Sequence, residues 1–516
     1  MRLAMVQPPI WGNLRTPWEM AYVKSFVEYR STNEVRTFDM APRTLPLVEA
    51  FGDAIRRTVD NSFETECYLS SLAFLTSIAE TYLLRLFYDT ESEEFRRALA
   101  ALLRNKTHHR GDALDRLVEA FISDSFFPLL NGELDAMSVQ VAEGGYDYLG
   151  CCTHITSYGI GLWLLRSVKQ LRPDVVTVLS GYQATIDAEE TLRACPWIDI
   201  VIRGESEGGY LRALSERNRS RRVLDQVAKP LAIDDMPPPD YRDLDLTNYK
   251  MISIMASRNC PHGKCLFCQE DAFWSAFRHR GAAKLVDDME VLHERHGGHR
   301  FDFVDLDIRD FVVELCRILR ERGHDFGWSG AMRADARTPD VLRAMVPTPC
   351  KGIFFGFESG SQRLLRMMRK NITLGTLEAT LRTASEVGVR AKLTCIAGLP
   401  TETEEEFQST LGFVERNTEH IRLVLVQCFK LLKRSPLGVV AGQPGNPYGL
   451  VPDPVPELGR VEGLLYAVNY RGDPSPACAI ERFIEARRAF RALIVDERAT
   501  LFSTNGSHQK HVLGLR

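Results

Sequence analysis

The chain has 516 residues, 45% hydrophobic and 26% charged, which exceeds one ordinary domain and matches the composition of soluble globular proteins rather than disordered or membrane chains. Its 64 basic and 68 acidic residues give a formal net charge of -4, without the basic excess that accompanies nucleic-acid binding. The opening run MRLAMVQPPIWG breaks at Gln7-Pro8-Pro9 before it could form a signal-peptide core, and no stretch approaches a membrane span. The sequence therefore predicts a cytoplasmic protein with reduced thiols and with no nucleic-acid or membrane partner. Its 12 cysteines do not read as a disulfide framework, and isolated ones such as Cys316 and Cys428 read as small buried hydrophobes.

In chain order, Leu3 to Val6 and Val35 to Phe38 are strand candidates. From about 45 to 130 the apolar spacing turns helical, with Leu72, Leu75, Ile78, Tyr82 and Leu86 on one face, which predicts a helical insertion. Strand-like runs resume at Tyr146 to Cys152, Val175 to Leu179 and Ile198 to Ile202, with a helix at Leu162 to Leu171 between the first two. This alternation predicts βαβ units and a parallel sheet, whose ligands sit beyond the carboxyl ends of the strands. The proline-rich stretch 234–249 reads as a linker. A second α/β series follows, with strands at Met251 to Met255, Phe301 to Asp305, Gly327 to Ala331, Gly352 to Phe357, Ala391 to Ile396 and Leu423 to Phe429. Six such units predict a partial (β/α) barrel. Residues 436–516 form a mixed, partly helical C-terminal region with one clear helix, Ile480 to Ala492.

Immediately after the first strand of the second series stands RNCPHGKCLFCQ, which puts Cys260, Cys265 and Cys268 on one loop. Thiolates so grouped favour zinc or an iron-sulfur cluster. A structural zinc site needs a fourth ligand, which His262 could supply, so a zinc-stabilised, non-catalytic binding protein is one alternative. Three cysteines on a loop at the mouth of an α/β barrel also resemble the radical S-adenosylmethionine (SAM) superfamily, although four residues rather than its usual three separate the first two. That resemblance implies a [4Fe-4S] cluster on the three thiolates, with SAM on the open iron. Phe267 matches the aromatic near the adenine. GFESGSQRLLRMMRK, residues 356–370, is similar to the fourth-strand segment, where Glu358 and Ser359 approach SAM. Arg333 stands where related enzymes contact the SAM carboxylate, and IAGLPTETEEEF, residues 396–407, looks like the segment that borders the adenine.

The first α/β series, residues 1–233, resembles the Rossmann-like cobalamin-binding domain that precedes many radical SAM barrels, here taken as residues 250–435. The resemblance rests on the order of YDYLGCCTHITSYG, VVTVLSGYQAT and IDIVIRGESEGGY before the proline linker. It implies cobalamin contacts at Thr153, His154, Ile155, Ser180, Gly181, Tyr182, Gly204 and Glu205. No histidine follows the first strand, so the lower face of the cofactor would be shielded by Trp11 or a neighbour; His154 is expected to hydrogen-bond rather than ligate cobalt. A Gly-rich dinucleotide fingerprint is absent.

Together the two resemblances imply a cobalamin-dependent radical SAM C-methyltransferase. One SAM would methylate cobalamin and a second would form the 5′-deoxyadenosyl radical, which acts on a peptide or other specialised metabolite. A flavodoxin or ferredoxin would supply electrons. Within the same architecture, the alternative is a non-methylating radical rearrangement or cyclisation. The sequence assigns no residue a catalytic role in proton movement; Tyr182 and Asp307 read as packing or hydrogen-bonding groups.

Overall fold

The computed structural model describes residues 1–9 and 15–494, so Trp11 lies outside the described residues. The chain divides into two compact units, Met1–Leu231 with Pro239–Asp245 and Asp453–Asn469, and Ala232–Pro238 with Leu246–Pro452 and the segment from Tyr470 onward.

In the first unit, β1 (Arg2–Gln7), β2 (Glu34–Asp39), β3 (Tyr148–Cys152), β4 (Val176–Ser180), β5 (Ile200–Arg203) and β6 (Arg222–Asp225) form one parallel sheet in the order β2-β1-β3-β4-β5-β6. Every residue of β3 and β4 is buried, as expected for central strands covered by helices on both faces. The strand order reverses between β1 and β3, and in such sheets this switch point is where ligands bind. Two elements escape a reading by periodicity. The helix Trp18–Arg30 buries Glu19 and Lys24 by pairing them with His154 and Asp243, which blurs its apolar stripe. The edge strand β6 fully buries only Leu224.

Six helices occupy the interval between β2 and β3, the last being Phe126–Glu143, so the insertion runs some way past 130. Their core gathers on Phe51, which stacks on Phe126 at 4.5 Å and meets Phe121 edge-on at 5.0 Å. Of the predicted face, Leu75, Ile78 and Tyr82 are buried in this cluster, Leu86 packs against it half-buried, and Leu72 is half-buried. The helix Tyr158–Leu171, which carries GIGLWLL, packs on the helix Leu72–Phe87. Among the described residues no single helix is long and apolar enough to cross a membrane; one bent pair, Phe63–Leu69 with Leu72–Phe87, passes by length and composition. Most of that pair is buried within the unit.

Residues 234–249 are not a free linker. Residues 239–245 pack with the first unit, where Asp243 accepts hydrogen bonds from Lys24 Nζ (2.8 Å) and the Thr37 amide (2.9 Å). Met236, on the other side of the division, is fully buried in the second unit and its carbonyl accepts from Arg280 (2.8 Å). Prolines suppress periodicity here, but the side chains between them are pairing groups. Likewise 453–469, expected within the C-terminal region, belongs to the first unit: the Glu457 carbonyl accepts from Tyr88 Oη (2.9 Å) and Arg460 pairs with Glu94 (2.8 Å).

In the second unit, β7 (Ile252–Ile254), β8 (Arg300–Phe303), β9 (Gly327–Met332), β10 (Cys350–Glu358), β11 (Ala391–Ala397) and β12 (Ile421–Cys428) lie in sequential order, all parallel. This is the predicted six-stranded partial barrel. β11 shows the two faces well: Ala391, Leu393, Cys395 and Ala397 are buried, whereas Lys392, Thr394 and Ile396 are half-buried on the opposite face. The helix Pro476–Ala489 packs on β11 and β12, and its Arg482 donates to Glu402 Oε2 (3.0 Å), in the segment that follows β11. Cys316 is buried as predicted, whereas Cys428 is only half-buried.

Candidate active site

The three-cysteine loop starts where β7 ends, and Asp305, just beyond β8, fixes that start. Its carboxylate accepts from the Ala256 amide (3.0 Å), the Ser257 hydroxyl (2.6 Å) and the Ser257 amide. Burial dominates these bonds and pushes the Asp305 carboxyl up to about 6. A carboxyl with a raised native pKa penalises the folded state when ionised, and acidification through about 6 relieves that penalty until the unfolded carboxyl also protonates near 3.8. From about pH 7 to about pH 5 the wild type should gain about 1 kcal/mol relative to Asp305→Asn in urea unfolding. A gap that stays constant with pH would refute this assignment.

Past Ser257 the chain turns at Asn259, a left-handed residue (φ 67°) whose Oδ1 accepts from the Cys260 amide (2.7 Å) and whose Nδ2 donates to Asp271 (3.0 Å). A second turn closes with the Cys268 amide on the Cys265 carbonyl (3.2 Å). The loop is tied down at Leu266, whose amide donates to Met368 O and whose carbonyl accepts from the Leu437 amide (both 3.1 Å). All three thiols are neither sealed in the core nor fully exposed. Burial pushes Cys268 up to about 12, with Glu270 adding to it, and also raises Cys265 against the pull of Lys370 and Arg333. Such thiols release protons when they take up metal.

The donor set fits a cluster better than a single zinc ion. His262, the available fourth ligand, donates from Nε2 to the Arg369 carbonyl at 2.6 Å, so only its Nδ1 could meet a metal. Among the described residues no three Cys, His, Asp or Glu side chains converge as one ion requires. A tetrahedral zinc site would hold its sulfurs about 3.8 Å apart, whereas a cubane spreads its thiolates over separate irons.

Beside the loop, β10 ends at Glu358 in a register shift, with the residue in the left-handed region at φ 62°. Its buried carboxylate accepts from Lys370 Nζ (2.6 Å) and Thr394 Oγ1 (3.2 Å). Gly356 makes the room: a Cβ there would run into Lys370 Nζ and lie 2.6 Å from Glu358 Oε1. Burial by itself would lower the Lys370 pKa, but Glu358 and neighbouring Cys265 outweigh it and hold the ammonium above its ordinary value. Arg333 is buried and donates to the Lys370 carbonyl (2.5 Å). Lys370 Nζ also stands 5.8 Å from the centre of the Phe267 ring. The structure thus gathers Cys260, Cys265, Phe267, Arg333 and Glu358, and adds Lys370, which in the sequence is merely the last residue of the segment that begins at Gly356. Ser359 is placed differently: its hydroxyl is fully buried, accepts from the Ser361 amide (3.1 Å) and lies 3.4 Å from Thr410 Oγ1. Asp307 is bound by Arg309 Nη2 (2.6 Å), a structural ion pair.

In the first unit, Thr153, His154, Ser180 and Gly181 meet beyond β3 and β4, beside the switch point. Thr153 donates to the Ser180 carbonyl from its amide (2.8 Å) and hydroxyl (3.1 Å), and Ser180 Oγ lies 3.0 Å from Cys152 Sγ. His154 Nε2 hydrogen-bonds Glu19 at 2.9 Å. Ile155 and Tyr182 are half-buried next to them. Gly181 has φ 96°, and a Cβ there would lie 2.6 Å from Thr153 N and O. Gly181→Ala should therefore cost roughly 2–4 kcal/mol in the first unit, read as a lower denaturation midpoint; an unchanged midpoint would mean the loop can open. Gly204 and Glu205 follow β5, where the Gly204 amide donates to Thr185 Oγ1 (2.9 Å) and Glu205 Oε2 accepts from the Leu231 amide (2.9 Å).

The chain has similar proteins among those already known. Residues 254–414 match the family model of the Radical SAM superfamily. An uncharacterised methyltransferase of Pyrococcus horikoshii is 27% identical over 276 residues, 49% of this chain and 60% of that protein. The anaerobic magnesium-protoporphyrin IX monomethyl ester cyclase of Rubrivivax gelatinosus is 27% identical over 299 residues, 51% of this chain and 53% of the cyclase. The chain thus spans little more than half the length of these relatives. Among solved structures, the radical SAM methyltransferase TsrM of Kitasatospora setae, bound to tryptophan and a SAM analogue, superposes with a TM-score of 0.57 at 14% identity, covering 86% of this chain and 76% of TsrM. The cobalamin-dependent SAM radical enzyme OxsB gives 0.55 at 13% identity, covering 83% of this chain and 53% of OxsB. The barrel unit, with its three-cysteine loop, is a radical SAM domain that takes a [4Fe-4S] cluster and SAM, and the chain as a whole has the fold of the cobalamin-dependent radical SAM enzymes.

Proposed function

We propose that this protein is a cobalamin-dependent radical SAM methyltransferase that methylates a carbon of a peptide or other specialised metabolite. The observation that carries the proposal is the pairing, in one chain, of the three-thiol barrel with a sheet of flavodoxin-like order whose switch point lies beside Thr153 and His154. When bound, the cluster supplies the electron that cleaves the SAM sulfonium, and cobalamin carries the methyl group.

The chain's own residues have distinct tasks. Cys260, Cys265 and Cys268 hold the cluster. Arg333 and Lys370 would hold the SAM carboxylate by their positive charge, Glu358 would receive its amino group, and Phe267 would flank the adenine. Ser359 acts through its neighbours, because its hydroxyl is engaged with Ser361 and Thr410. In the first unit, Thr153, Ser180, Gly181 and Gly204 keep the loops low enough for a nucleotide tail, with His154, Ile155, Tyr182 and Glu205 around it. His154, held by Glu19, orients a hydrogen bond rather than ligating cobalt. A flavodoxin or ferredoxin supplies the electron. A second reading, a radical cyclisation without methyl transfer, is favoured by the similarity to the cyclase.

Anaerobic purification and incubation with methyl-deuterated SAM test the proposal. About four irons and four sulfides per chain, bound cobalamin and a labelled product are expected. An unlabelled product with release of deoxyadenosine would transfer support to the cyclisation reading, and zinc without sulfide would overturn both.

A further inference from the structure

We infer that the side-chain amide of Gln269 donates a hydrogen bond to the sulfur shell of the cluster and thereby raises its reduction potential. The inference rests on the cluster reading above.

Gln269 directly follows Cys268 and is 2% exposed. Its Oε1 accepts from the Arg434 amide at 3.1 Å, which fixes the amide orientation, since a flip would set NH₂ against N–H. The other end, Nε2, is buried with no protein acceptor. An unpaired buried donor costs about 1–3 kcal/mol, and native proteins seldom keep one without a bound group to receive it. The acceptors that Cys268 would bring beside this donor are the sulfides of the cluster. They carry negative charge and accept hydrogen bonds.

Hydrogen bonds to the sulfurs help set the potential of an iron-sulfur cluster. The reduced state carries one more negative charge, so a donor stabilises it more than the oxidised state. Arg434, in the segment after β12, therefore acts on the cluster through Gln269 by holding the amide in this orientation.

The test is a redox titration of the reconstituted full-length protein, followed by EPR of the reduced cluster. Gln269→Met keeps the volume and removes the donor; Gln269→Glu keeps the acceptor for Arg434 and replaces the donor with a carboxylate. Both should retain iron and sulfide and shift the midpoint downward, Gln269→Glu further. In pulsed EPR after exchange into D₂O, the wild type should show a coupled exchangeable deuteron that Gln269→Met lacks. An unchanged midpoint in either variant that keeps its iron, or a wild type without that deuteron, would overturn the inference. A wild type that binds no iron and sulfide would instead sink the cluster reading itself.

Discussion

Replacing Cys268 with alanine is expected to take bound iron and sulfide from about four each per chain to near zero, and deoxyadenosine formation with it. The expectation follows from the geometry of one loop. Cys260, Cys265 and Cys268 are its only thiols, and each would hold its own iron, so the loss of one leaves the cluster with two. The loop's shape does not depend on the Cys268 side chain, because it is held by Asp305 on Ser257, Asn259 on Cys260 and Leu266 between Met368 and Leu437. Folding should therefore survive, and cobalamin should stay bound, since its proposed contacts lie in the other unit. Metal analysis and product chromatography on anaerobically purified protein measure both outcomes. Retained iron and deoxyadenosine in the variant would refute the central assignment.

Lys370→Met should have the largest effect on stability. The lysine and Glu358 form a buried ion pair, with side chains 10% and 9% exposed, and removing the cation leaves a buried carboxylate without its ammonium partner. Breaking such a pair from one side costs about 3–5 kcal/mol, which for a unit of this size lowers the midpoint of thermal unfolding by about 10 °C. A double variant, Lys370→Met with Glu358→Leu, removes the stranded charge and should recover most of the midpoint. It should not recover SAM cleavage, because both groups proposed to face the cofactor are gone. Calorimetry and deoxyadenosine release separate the two effects. A double variant as unstable as the single one would mean that the pair matters for shape rather than charge, and one that regains activity would remove both residues from the SAM site.

Much of the fold is legible in the amino-acid sequence. Central parallel strands with both faces covered are largely apolar, so β3 and β4 stand out as runs, whereas barrel strands such as β11 show by alternation, and the order of helices between strands fixes right-handed crossovers. The cluster loop is legible for a different reason: three thiols within nine residues are constrained by chain geometry whatever surrounds them. The helix Trp18–Arg30 and the stretch 234–249 escape the pattern for a common reason. Each buries charged residues among its apolar ones, Glu19 and Lys24 in the helix and Asp240 in the stretch, and charge reads as solvent exposure until its partner is known; Lys24 finds Asp243 from 219 positions away.

Sequence by itself determined the two α/β series, the helical insertion and the three cysteines, because strand and helix periods and short-range loops are local properties. Only the tertiary structure decided that Lys370 closes on Glu358, that Ser359 turns toward Thr410, that His262 meets the Arg369 carbonyl and that Gln269 holds a donor with no protein acceptor. Those facts depend on which side chains from distant segments arrive at the same buried point. Burial converts each such meeting into a pairing that must be satisfied, and no local pattern records where the partner will come from.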